Sequence, residues 1–80
     1  MKIVVNKEAR KLRQQEIVND ILNKAKECAE KGIINFTYYF KDNEDVCSLT
    51  INSLVKRKSE STVQCRYRGN YGTHVKYSIH

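Results

Sequence analysis

Ile33-Ile34-Asn35-Phe36-Thr37-Tyr38-Tyr39-Phe40 is uncharged and rich in β-branched and aromatic residues. Its alternation places Ile34, Phe36, Tyr38 and Phe40 on one face and Ile33, Asn35, Thr37 and Tyr39 on the other, which predicts a strand whose first face floors the core. So apolar a strand must be covered by other elements, and the flanking sequence supplies them.

Upstream, Lys7 to Lys31 lacks proline and glycine and carries Val18, Ile21, Leu22, Ala25 and Ala29 at helical spacing. This predicts a long amphipathic helix, with Asn6 capping its start and Gly32 placed to end it in a left-handed conformation. Ile3 to Val5 reads as a short additional strand leading into it. Downstream, Val46 to Ile51 alternates like a strand, yet Cys47, Ile51, Leu54 and Val55 also share a helical face. Asp42, Glu44 and Asp45 at the start and Lys56, Arg57 and Lys58 at the end match a helix macrodipole, so Asp42 to Lys58 is read as a second helix.

Thr62 to Arg68 and Thr73 to Ile79 alternate around Gly69-Asn70-Tyr71-Gly72, as two strands around a turn do. Val63, Cys65 and Tyr67 then face the core with Val75, Tyr77 and Ile79. Gln64, Arg66 and Arg68 share the opposite face with His74, Lys76, Ser78 and His80. The expected architecture is α+β, in the order helix, strand, helix, strand, strand: a small mixed three-stranded sheet, with Ile3 to Val5 as a fourth short strand and both helices on one face. A helix between the first strand and the hairpin permits a parallel crossover.

An 80-residue chain holds one core, so residues 1–80 read as a single domain. At this size folding buries only about 60% of the unfolded surface, which makes a homodimer that covers leftover apolar area a live expectation. The formal charge of +6 is unevenly distributed. Met1 to Lys31 has eight basic and five acidic residues, Lys41 to Val55 has one and three, and Lys56 to His80 has six and one. The surplus is thus densest in the last third, which suggests an anionic partner. Cys28, Cys47 and Cys65 lack zinc-ligand spacing and read as buried free thiols. The opening Met1-Lys2-Ile3-Val4-Val5 is too short for a signal peptide, and no run approaches a membrane span, so the expected setting is the cytoplasm, without a membrane partner. The Asn35-Phe36-Thr37 sequon is then fortuitous.

Lys24 to Gly32 followed by Ile33 to Phe40 resembles small, mostly uncharacterised proteins of tailed phages, which have a long N-terminal helix, a tyrosine-bearing strand, a second helix and a closing strand. The basic hairpin Thr62 to His80 departs from their single closing strand. The resemblance implies a bacterial host cell as the setting, and either inhibition of host enzymes and defence or an accessory role in the virion. It carries over no catalytic residues.

The residues themselves point to binding. Arg66, Arg68, His74 and Lys76 on one hairpin face, with Tyr71 at the tip, form a candidate anion site, since arginine grips phosphate bidentately and tyrosine stacks on bases. The leading expectation is a non-enzymatic binding protein, without cofactor or metal, that modulates host machinery through a nucleotide, a nucleic acid or an acidic protein surface. The alternatives are a sequence-independent nucleic-acid-binding domain and a structural interaction module with apolar contacts through Tyr39, Ile33 or the long helix. An enzymatic alternative is RNA cleavage, with His74 as general acid or base and Arg66 or Lys76 stabilising phosphate charge. Arg68-Gly69-Asn70-Tyr71-Gly72 begins like the ribonucleoprotein octapeptide of RNA-binding domains, but Asn70 stands where that motif has an aromatic.

Overall fold

The computed structural model describes residues 1–41, 48–68 and 74–80, with residues 48 and 68 as backbone only. Helix α1 spans Lys7–Glu30, strand β1 Asn35–Tyr39, helix α2 Ser48–Lys58, strand β2 Val63–Arg68 and strand β3 His74–Ile79. The order is the expected α+β one. Residues 42–47, which contain the acidic start expected for the second helix and Cys47, lie outside the described residues, as does the turn with Tyr71.

Both ends of α1 follow from local chemistry. Asn6 Oδ1 accepts from the backbone N–H groups of Glu8 and Ala9, satisfying donors that a helix start leaves open. At the other end Gly32 N–H donates to the Ala29 carbonyl at 3.0 Å and Ile33 N–H to the Cys28 carbonyl at 2.8 Å, the paired bonds of a Schellman motif. Gly32 has φ 75°, and nothing lies within 4 Å of where a Cβ would sit, so the requirement here is backbone conformation rather than space. Helix α2 ends the same way, with Glu60 N–H to the Arg57 carbonyl and Ser61 N–H to the Lys56 carbonyl. Its left-handed positions are occupied by Glu60, φ 53°, and Ser61, φ 67°.

The sheet order is β1-β3-β2, and both pairings are antiparallel. This corrects the expectation of a mixed sheet. Strands β1 and β2 do run the same way, joined through α2, but β3 sits between them. The hairpin partner of β2 is local in sequence, and its Val75 and Tyr77 are the strand residues most completely buried, so β3 takes the centre. The expected fourth strand is not formed either: Ile3, Val4 and Val5 are exposed and belong to no strand. Residues 1–12 are all exposed, so the start of α1 projects past the core and holds this segment clear of the sheet edges.

One sheet face carries Phe36, Val63, Val75 and Tyr77 against Ile17, Val18, Ile21 and Ala25 of α1 and Ile51 and Val55 of α2. Both helices therefore cover the same face. Ile17 takes a core place expected of Ala29, which is exposed, and Ile34 is exposed beyond the start of β1. Cys28 and Cys65 are free thiols, half-buried rather than buried as expected. Lys24 Nζ donates to the Thr37 carbonyl at 2.8 Å, so α1 also occupies part of the outer edge of β1 with a charge. Among the described residues no helix is long and apolar enough to cross a membrane, and no group of three His, Cys, Asp or Glu side chains is placed to hold a metal ion.

Candidate functional site

The sheet face turned away from the helices is organised by register. Asn35, Ser78 and Gln64 form one row across the three strands, and Thr37, Lys76 and Tyr67 form the next. Tyr39 and His74 begin a third. Arg66, His74 and Lys76 were expected on this hairpin, and His74 and Lys76 take their places in these rows of the central strand. Arg66 is exposed at a register shift between Cys65 and Tyr67, where β2 accommodates an extra residue.

That bulge overturns two assignments. Beyond it Tyr67 lies opposite Lys76, so Tyr67 joins the open face instead of the core and is 50% exposed. Arg68 comes opposite the buried Val75, out of phase with His74 and Lys76. The physical reason is that a bulge inverts the alternation of every residue after it. The sulfur of Cys65 lies 3.6 Å from the Tyr67 carbonyl and spans the irregularity.

The consequence is a line of rings across the sheet. Tyr39 and His74 have centroids 5.7 Å apart, and His74 and Tyr67 are 5.9 Å apart, with interplanar angles of 36° and 39°. Tyr39 is 69% exposed. The Lys76 ammonium lies 5.6 Å from the Tyr67 ring centroid, within cation–π range. Beside the rings is a shallow cavity of about 430 Å³ lined by Asn35, Thr37, Arg66, Tyr67 and Lys76 together with Phe36 and Tyr77. Each strand thus contributes one ring, and Arg66 and Lys76 contribute positive charge on the same side.

Behind the site, the sheet is tied to α2. Phe36 and Tyr77 stack with centroids 5.4 Å apart, and the Tyr77 hydroxyl donates to Asn52 Oδ1 of α2. Burial, with smaller contributions from Cys65 and Tyr38, pushes the Tyr77 phenol well above its ordinary range, so it stays a neutral donor. At the far end of β3 the Ser78 hydroxyl and His80 Nε2 are 2.9 Å apart. Ser78 is itself buried, and its hydroxyl also lies 3.5 Å from the Gln64 carbonyl.

Sequence reasoning placed Tyr39 on the open face but gave it no part in the anion site, and it assigned Tyr67 to the core. Tyr39 follows from the alternation of β1 alone. Tyr67 had no comparable signal, since its apolar body and polar tip suit either face. Comparison with protein-family models, curated proteins and solved structures found no match in any of them.

Proposed function

We propose that the open sheet face binds single-stranded nucleic acid without reading its sequence. The observation that carries this is the row Tyr39–His74–Tyr67, one ring per strand, with Arg66 and Lys76 beside it. Unpaired bases offer apolar faces to such rings whatever their identity, while arginine and lysine take the intervening phosphates. Duplex bases are already stacked on one another and leave the rings without a partner. The role is non-enzymatic: His74 works here as a ring between two tyrosines. The tailed-phage resemblance supports an intracellular setting in a bacterial host, where occupation of exposed single strands would modulate host machinery.

The test is a fluorescence-anisotropy titration of the protein with labelled oligothymidylate, oligouridylate, duplex DNA and free mononucleotides over a range of salt. Single strands are expected to bind more tightly than duplex or mononucleotide, with a log–log salt slope of about −1.4 if Arg66 and Lys76 each neutralise one phosphate, at about 0.7 per phosphate. Arg66→Glu with Lys76→Glu is expected to abolish that binding while far-UV circular dichroism stays unchanged. Mononucleotides binding as tightly as oligomers would replace the proposal with a nucleotide-sequestering one, and equal affinity for duplex would remove stacking from it.

A further inference from the structure

The helical layer on the other side of the molecule carries a second surface, independent of the ring platform. Two cavities, of about 280 and 200 Å³, lie along α1. Lys11, Gln15 and Val18 line the first and Leu22, Ala25 and Ala29 the second. At 100° per residue these six positions fall on a single stripe of the helix, so the two cavities follow one side of α1 as an interrupted groove. From Lys11 to Ala29 it runs about 27 Å at 1.5 Å per residue. Its opposite wall is Leu54 and Lys58 of α2, continuing into Thr62, Val63 and Ile79 at the end of the sheet.

We infer that this groove docks an acidic amphipathic helix of a partner protein. The floor of the second cavity is apolar, and the small, exposed side chain of Ala29 lets a helix backbone approach closely. The polarity of the rim selects the sign of the partner. Lys11 and Lys58 border the first cavity and Lys26 the second, and among the described residues no acidic side chain lines either. Charge also argues against a second copy of this chain, because its own exposed apolar segment Ile3 to Val5 is flanked by Lys2 and Lys7, of the same sign as the rim.

The probe is a labelled helical peptide long enough to span the groove, with leucine at i, i+3/i+4, i+7 spacing and glutamate elsewhere. Its control has lysine in place of every glutamate. The full chain is expected to bind the glutamate peptide and not the lysine peptide. Lys11→Glu with Lys58→Glu is expected to weaken the first at least about tenfold and to gain the second, a reversal that a misfolded variant cannot give. Ala29→Trp, at an exposed position, is expected to abolish binding of the glutamate peptide by filling the groove. Equal binding of both peptides, binding of neither, or full affinity in Ala29→Trp would overturn the inference. So would sedimentation showing a dimer in the wild type that the peptide fails to dissociate.

Discussion

Tyr77 links the middle strand to α2 through its hydroxyl on Asn52, and packs its ring on Phe36. Replacing it with phenylalanine keeps the ring and removes the donor. Tyr77→Phe is expected to cost about 1 kcal/mol, the net worth of one hydrogen bond, measured by urea unfolding at neutral pH. The pH dependence has a defined sign. The phenol ionises near pH 10 in the unfolded chain and well above that in the fold, where burial opposes the charge. Its contribution is therefore fully present below about pH 10 and is lost as pH rises toward the folded value, at up to about 1.4 kcal/mol per pH unit. Comparing wild type with Tyr77→Phe across that window separates this phenol from the lysines that titrate alongside it; parallel curves would contradict the assignment.

At the scale of elements, helix ends differ in how their sequence suits their geometry. Gly32 meets the left-handed requirement at the end of α1 without strain, and both it and the Asn6 cap were legible in the sequence because each acts within a few residues of itself. The equivalent place after α2 holds Glu60 at φ 53°, where a Cβ is unfavourable. Glu60→Gly is expected to raise stability by about 1 kcal/mol in urea unfolding. The Asn6 cap predicts a local effect instead. The first turns of α1 bury nothing, so Asn6→Ala is expected to speed amide hydrogen exchange at residues 8–11 while leaving the unfolding midpoint almost unchanged. The bulge in β2 was not legible, because Val63, Cys65 and Tyr67 continue an unbroken alternation in sequence; only pairing with β3 reveals the extra residue. For the same reason the central position of β3 was missed: alternation tells which way a side chain faces, not which strand lies next to it.

The whole molecule is elongated, 53 × 24 × 17 Å, with a radius of gyration of 13.5 Å. A compact chain of this length would have about 12 Å. The excess follows from the overhanging start of α1 and the exposed residues before it. What remains is a two-layer body with different surfaces on its two sides: rings and basic side chains on the sheet, two lysine-bordered cavities along α1 on the helices. Charge counting pointed to the hairpin by placing the surplus in the last third of the chain, whereas the proposed site rests as much on aromatic rings. Those rings come from three strands, and only the fold brings them into line. The most direct measurement is therefore the affinity of a Tyr39→Leu, Tyr67→Leu double variant for oligothymidylate, with its fold verified by circular dichroism. Loss of two stacking partners at about 1–3 kcal/mol each predicts binding at least about thirtyfold weaker than wild type, with the salt slope retained. Wild-type affinity in that variant would contradict the account.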